Sequence, residues 1–147
     1  MNKKEVKKLL IAEQKEVIEN LKQEINDLHQ GSDLDEDDTI DPEDFSHQAE
    51  ISNIEMNLSQ RLNSAKEQLS SIENLSDEPM NSIGPGALVE SEHDLIYVSI
   101  AARSFKYTDK PLFPISRDSP IYKKLLKLNV GDALVIGEEE SVIQAIY

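Results

Sequence analysis

Apolar side chains recur at alternating four- and three-residue steps in residues 51–72, whose sequence is ISNIEMNLSQRLNSAKEQLSSI. The residues at these steps are Ile51, Leu58, Leu62, Ala65, Leu69 and Ile72, and only Glu55 interrupts the series. A mean period of about 3.5 residues is typical of a helix that packs along one seam against another helix. The stretch therefore predicts a coiled-coil helix, which we place from about Pro42 to Asn74.

An earlier segment carries a second apolar stripe, made of Val6, Leu10, Val17, Leu21 and Leu28. Polar residues fill most other positions, which predicts an amphipathic helix from about Lys4 to His29. The two stripes are similar in length and the segment between them is short, so an antiparallel helical hairpin is the simplest arrangement. Alternatively, the stripes could join two copies of the chain. We expect the intramolecular hairpin and a monomer.

Residues 79–147 differ in composition from residues 1–78, because they hold six of the seven aromatic residues. Their pattern predicts strands at 86–91, 94–101, 133–136 and 141–146. A short helix is predicted after Ser119, a natural N-cap residue, with Pro120 at the first helical position. The sequence thus predicts an α+β fold in two domains, a helical hairpin at 1–78 and a small α+β domain at 79–147.

The composition excludes several classes of protein. With 15 Lys and Arg against 29 Asp and Glu, the net charge is −14, which argues against binding nucleic acid or an anionic membrane through net charge. The absence of cysteine excludes disulfides and zinc fingers. No apolar run is long enough to cross a membrane, and the N-terminus does not resemble a signal peptide, so we expect a cytoplasmic protein.

The histidines and the lysine clusters have ordinary interpretations. His29, His47 and His93 are far apart in the sequence, so we interpret them as surface or capping residues rather than metal ligands. Lysines cluster near the N-terminus and on the predicted short helix, and we interpret both groups as solvated. These residues are Lys3, Lys4, Lys7 and Lys8 in the first group, and Lys123, Lys124 and Lys127 in the second.

The segment between the two predicted helices is strongly acidic. Residues 31–44 read GSDLDEDDTIDPED, and eight of these fourteen residues are Asp or Glu. Acidic residues at 41–44 suit a helix N-terminus, with Asp41 as the N-cap and Pro42 at the first helical position. This does not explain the carboxylates at 33–38. The segment is either a solvated loop or a site for a divalent cation or a basic partner.

A calcium-binding loop is one alternative for this segment. Six side chains fall at the ligand positions of an EF-hand loop, namely Asp33, Asp35, Asp37, Thr39, Asp41 and Asp44. Two positions depart from that pattern. Asp38 stands where the sharp turn needs glycine, and Asp44 stands where a bidentate glutamate is usual.

The stretch 114–132, PISRDSPIYKKLLKLNVGD, resembles the C-terminal domain of the bacterial Gre transcription elongation factors. Their pattern is roughly I-S-P-x-S-P-[LI]-G-x-A-L-x-G-K-x-x-G-D. Arg117 replaces a proline of that pattern, and Tyr122, Lys124, Lys127 and Leu128 also depart from it. The matching residues are Ile115, Ser116, Ser119, Pro120, Ile121, Leu125, Gly131 and Asp132. The resemblance implies an FKBP-like fold for the second domain.

The resemblance also implies a function. Gre factors bind bacterial RNA polymerase, insert the hairpin into its secondary channel and stimulate cleavage of backtracked transcripts. Their acidic tip acts on a Mg²⁺ shared with the polymerase active site, which they do not hold permanently. Such a protein is a cofactor of the polymerase and not itself an enzyme. Its contact with DNA and nascent RNA is indirect.

Site residues follow from the same resemblance. When the tyrosine of the Gre tip is aligned with Phe45, Asp38 and Asp41 take the positions of the two acidic residues, with Asp37 and Asp44 as neighbours. The implied polymerase-binding residues of the second domain are Phe113, Ile115, Arg117, Ser119, Pro120 and Tyr122.

Three alternatives remain open. The run 41–44, DPED, also resembles the D-P-x-D tip of the DksA family, which regulates initiation. The chain could therefore be an inhibitor or an initiation regulator without cleavage activity. It could also be a calcium-binding helical hairpin module or an acidic coiled-coil adaptor.

Overall fold

The computed structural model of the protein describes residues 1–33 and 42–147. Two long helices come first, α1 (Lys3–Asp33) and α2 (Pro42–Glu73). The elements that follow are β1 (Leu88–Ser91), β2 (Leu95–Ser99), β3 (Phe105–Tyr107), β4 (Lys110–Ser116), α3 (Pro120–Leu125), β5 (Ala133–Ile136) and β6 (Glu139–Ile146). The predicted α+β class is confirmed, with two helices ahead of a small sheet domain. None of the described helices is both long and apolar enough to cross a membrane.

The contacts group the chain into two compact units. The hairpin unit comprises Ile11–Ser70, and the sheet unit comprises Met1–Leu10 together with Ser71–Tyr147. The first turns of α1 and the last residues of α2 thus belong with the sheet.

The seam of the hairpin unit follows α2 as predicted but departs from the prediction on α1. Val17 is 44% exposed, whereas Gln14 and Ile18 are buried. Successive steps of four residues from Leu10 lead to Gln14 and Ile18, so the helical period places Val17 beside the seam and not in it. Predicting Val17 in the stripe was wrong. The side chains that pack together are Ile18, Leu21, Ile25 and Leu28 of α1 with Leu58, Leu62, Ala65 and Leu69 of α2.

Gln14 is a buried polar residue in this apolar seam. Its side-chain amide donates to the backbone carbonyl of Ala65 at 2.9 Å and to the side-chain oxygen of Gln68 at 3.1 Å. A buried polar side chain that finds its partners only in one alignment fixes the register of two packed helices. Gln14 therefore specifies which turn of α1 faces which turn of α2.

Gln14→Ala is expected to lower the free energy of unfolding by about 1–2 kcal/mol, because both hydrogen bonds and the packing of the side chain are lost. Gln23→Ala is the matched control, since Gln23 is exposed and donates within α1 to the carboxylate of Asp27 at 2.8 Å. The control should change stability by less than about 0.5 kcal/mol. Urea unfolding followed by circular dichroism checks both values, and equal losses in the two variants would contradict the register role.

The described residues form a six-stranded sheet in the order β3-β4-β2-β1-β6-β5. β2 and β4 run parallel, and the other neighbouring strands are antiparallel. Four strands were predicted, whereas β3 and β4 were not, because β3 has only three residues and because Pro111 and Pro114 of β4 are unusual inside a strand. Pro111 pairs only with Lys106 of β3, and Pro114 pairs only with Tyr97 of β2. Each proline therefore occupies a position at which β4 has one neighbouring strand, where its missing N–H is tolerated.

The core of the sheet unit lies around β2. Residues 95–98 are all fully buried, so both faces of this strand are covered. The α3 face of the core contains Ala87, Val89, Ile96, Val98, Ile115, Tyr122, Leu125, Leu134 and Ile143. A strand that is buried on both faces reads as a continuous apolar run, which is why the stretch LIYVS predicts β2 so clearly.

Two of the N-terminal lysines are not solvated, contrary to the prediction. Lys3 is only 6% exposed and donates to the backbone carbonyl of Glu78. Lys7 donates to the carbonyl of Leu75 at 2.6 Å and pairs with Asp77 at 3.2 Å. The chain leaving α2 carries carbonyls without helical partners, and these lysines satisfy them. Burial lowers the pKa of Lys3, and the nearby negative charges of Asp77 and Glu78 partly oppose this effect.

Tyr97 is fully buried, and its hydroxyl has no hydrogen-bond partner among the described residues. Burial raises the pKa of Tyr97 to about 12, and the negative charge of Asp77 acts in the same direction. By contrast, the hydroxyl of Tyr107 donates to the carboxylate of Glu5 at 2.8 Å. Tyr97 therefore contributes packing, and its hydroxyl contributes no bond.

The protein is expected to lose stability as pH rises from 10.0 towards about 12. The unfolded chain releases the Tyr97 proton at the lower of these values, whereas folded Tyr97 stays neutral until the higher one, so alkaline pH favours the unfolded state. The contribution is up to about 3 kcal/mol. Tyr97→Phe has no proton to release, and it should be at least as stable as wild type at neutral pH, because no bond is lost and a buried hydroxyl without a partner is removed. Urea unfolding at neutral and alkaline pH checks this, and equal alkaline losses in wild type and variant would disprove it.

Candidate functional site

The acidic segment 31–44 joins the C-terminal end of α1 to the N-terminal end of α2. Cross-helix bonds from Gln14 to Ala65 and from His29 to Glu55 show that these helices are antiparallel in the hairpin unit. Pro42 is the first residue of α2, and Glu43 and Asp44 lie exposed in its first turn, as the sequence predicts. Carboxylates there are favoured by the positive end of the helix dipole.

Most of the predicted metal ligands fall outside the described residues. Asp37, Asp38 and Asp41 belong to the undescribed segment 34–41, and of the predicted Mg²⁺ ligands Asp44 alone is described. The calcium alternative also depends mainly on residues 34–41. Within residues 1–33 and 42–147, no group of three or more histidine, aspartate and glutamate side chains could hold a metal ion.

His29 and Glu55 form a pair across the two helices near the acidic segment. The imidazole Nε2 of His29 lies 2.8 Å from a carboxylate oxygen of Glu55, and both side chains are partly exposed. His29 was predicted to be a surface residue, which agrees with its exposure. Glu55 is the residue that interrupts the apolar series of α2, and its carboxylate is paired with His29 of α1 across the two helices.

The motif at 114–132 builds a compact turn system around α3. Ser119 is the N-cap, and its hydroxyl accepts a hydrogen bond from the N–H of Ile121 at 3.2 Å, as predicted. Gly131 adopts a φ of 94°, which a side chain would strain. The carboxylate of Asp132 accepts from the N–H of Asn129 at 2.7 Å and closes the turn before β5. These residues of the motif have structural roles that explain their types.

The six predicted partner-binding residues divide by burial. Phe113, Arg117 and Pro120 are exposed and can contact another molecule, whereas Ser119 is half-buried in its capping role. Ile115 and Tyr122 belong to the core of the sheet unit, with 7% and 9% of their surface exposed. These two side chains are buried where α3 packs on the sheet, so they can support a binding surface but are largely inaccessible to a partner.

Sequence reasoning missed a groove between α3 and β5. It is lined by Lys123, Lys124, Lys127, Leu128, Ala133, Leu134 and Val135. The three lysines were interpreted only as a solvated face, and they are indeed exposed. The groove could not be found from spacing, because its two walls come from separate elements. The signal in the sequence is the unbroken apolar run Ala133–Ile136 close to a lysine cluster.

No protein-family model and no curated protein matches this chain. Solved structures that are similar to it include the following two. One is the crystal structure of GreA factor homolog 1 (Gfh1) of Thermus thermophilus, at 22% identity and a TM-score of 0.35, covering 97% of this chain and 93% of that chain. The other is a structure of the transcription factor Gfh1, at 23% identity and a TM-score of 0.34, covering 100% and 94%.

Proposed function

We propose that the chain binds bacterial RNA polymerase through the secondary channel and regulates it with the acidic end of the helical hairpin. The observation that supports this proposal is the antiparallel pairing of α1 with α2. It brings the end of α1 at Asp33 and the start of α2 at Pro42 to the same end of the hairpin unit. From Gln14 to Asp33, α1 extends roughly 29 Å at its rise per residue. A pair of helices is narrow enough to present a few carboxylates deep inside a channel.

The chemistry suits a divalent ion that the polymerase supplies. Phosphodiester hydrolysis by two metals needs a second ion opposite the first, and Mg²⁺ takes one or two carboxylates together with water and phosphate oxygens. Asp38 and Asp41 are the proposed pair, with Asp37 and Asp44 beside them. The chain raises the occupancy of the second Mg²⁺, and the polymerase remains the enzyme that cleaves the transcript.

We assign the contact of the sheet unit with the polymerase to the exposed residues among the predicted partner-binding residues, Phe113, Arg117 and Pro120. Phe113 lies on β4 next to the buried strand β2, and Arg117 and Pro120 lie at the entry to α3. These positions are held by the core and by the N-cap of α3, so they present a fixed surface. A rigid surface loses little conformational entropy on binding.

An inhibitory regulator is the second candidate, and the number of carboxylates favours it. Eight acidic residues among fourteen can hold the metal unproductively or block entry of the nucleotide. This candidate shares the partner and the channel with the first. It differs in the sign of the effect on transcript cleavage and RNA synthesis.

The test is transcript cleavage in backtracked complexes of the cognate RNA polymerase, with and without the full chain. Faster cleavage supports the first candidate. Binding with slower RNA synthesis supports the inhibitor. Absence of binding to the polymerase disproves both, and calorimetric titration of the chain with CaCl₂ then tests the calcium-binding alternative.

A further inference from the structure

The outer edge of β5 lies at the end of the sheet and carries no charged residue or proline. β5 ends the sheet order, and among the described residues no strand pairs with its outer side. Edge strands are normally protected by charged residues, proline, bulges or shortness. β5 reads Ala133-Leu134-Val135-Ile136, so it is also short, with four residues, but it has no charge, proline or glycine. The opposite edge, β3, is three residues long and carries Lys106.

The two faces next to this edge differ in character. Leu134 points to the core beneath α3, and three lysines of the 123–127 region line the groove on that side. Ala133 and Val135 also border the groove, but their side chains alternate with that of Leu134 and therefore point away from the core, and Val135 is 46% exposed. Val142, which pairs with Ala133, extends this exposed apolar strip.

The lysines of the groove are available for a partner. Lys123, Lys124 and Lys127 are exposed, and the described ion pairs involve other cations. The lysines lie near the C-terminal end of α3, where the negative end of the helix dipole favours positive charge. This does not explain why three cations surround an apolar floor in a chain whose net charge is −14.

We propose that the outer edge of β5 binds an extended, acidic segment of a partner protein, in which acidic and apolar residues alternate. The segment adds a strand to the sheet through main-chain hydrogen bonds. Its acidic side chains face the lysines of the groove, and its apolar side chains cover Ala133 and Val135. The apolar strip and the exposed edge favour a peptide over a nucleic acid. This proposal rests on the sheet unit alone and does not depend on the proposed function.

The test uses the full-length ¹⁵N-labelled chain and a short synthetic peptide in which glutamate and valine alternate. Chemical-shift changes are expected at the amides of Ala133–Ile136 and of the lysine cluster. Lys124→Glu/Lys127→Glu and Val135→Glu should each weaken binding by about tenfold, the first by charge repulsion and the second by placing a like charge in the apolar strip at the edge. Lys8→Glu/Lys66→Glu is the matched control, because it changes the net charge equally at exposed positions on α1 and α2.

Three other probes define what would overturn the proposal. A peptide of the same composition with its glutamates and valines in separate blocks should bind more weakly. Tighter binding of an acidic helix-forming peptide would overturn the added strand, and tighter binding of a single-stranded oligodeoxynucleotide through the same lysines would overturn the peptide. Equal weakening in the Lys8/Lys66 control, or shifts confined to other regions, would show that the edge of β5 is not the site.

Discussion

Asp38→Ala/Asp41→Ala is expected to slow transcript cleavage by the polymerase about 10–100-fold relative to the wild-type chain, the range typical for loss of groups that support a metal site. Both residues lie outside the described residues, and their roles are part of the proposed function. Under the proposed function, removal of the two carboxylates is expected to lower the occupancy of the second Mg²⁺. Affinity for the polymerase should change little, because the sheet unit and the helices remain intact.

The dependence on Mg²⁺ concentration separates this mechanism from a general loss of function. If the two carboxylates act by raising metal occupancy, a higher Mg²⁺ concentration should restore part of the lost rate by mass action. Glu16→Ala/Glu24→Ala is the matched control, since both residues are exposed on α1 and the change in charge is the same. The control should cleave like wild type. A defect of equal size in the control, or one that Mg²⁺ does not reduce, would contradict the role of the pair.

The local patterns that predicted the fold correctly are those in which one element decides its own structure. The residues of α2 that face the seam follow from the spacing of apolar residues within α2 itself. The start of α3 is set by the hydroxyl of Ser119 and the ring of Pro120, which act within one turn. β2 is predicted because its residues are apolar on both faces. In each case the physical cause lies within a few residues of the observed feature.

The features that were missed depend on residues distant in the chain. Gln14 enters the seam because Ala65 and Gln68 supply its hydrogen bonds, which no local pattern shows. Lys3 is buried because the chain after α2 offers the carbonyl of Glu78. β4 forms although it contains two prolines, because each proline faces a side without a neighbouring strand. Local sequence propensity does not predict these contacts between distant residues, since they form only when the elements are assembled.

The candidate site shows the same division. The acidic composition of residues 31–44 and the first turn of α2 are read directly from the sequence. The groove beside β5 and the burial of Tyr122 depend on how α3 packs on the sheet. Sequence reasoning therefore identified the acidic segment between the helices and missed the groove beside β5. The ligand roles of Asp37, Asp38 and Asp41 stay predictions.

Ile96→Ala is expected to lower the free energy of unfolding of the sheet unit by about 3–4 kcal/mol, within the range for large-to-small changes at fully buried sites. Ile96 is a fully buried residue of β2 and packs in the core beneath α3. It lies between Val89 of β1 and Phe113 of β4, so the cavity forms where strands on both sides meet. A loss of this size is a large part of the stability of a small domain.

Leu126→Ala is the control for this prediction, because Leu126 is 52% exposed beside the same core. It should cost less than about 0.5–1 kcal/mol, since little buried surface is removed. Urea unfolding followed by tyrosine fluorescence reports on the sheet unit, because all four tyrosines lie in Ser71–Tyr147. Comparable losses in the two variants would mean that β2 is not the centre of the core. Because Phe113 is the register partner of Ile96, Ile96→Ala should also weaken any docking that depends on β4, whereas Leu126→Ala should not.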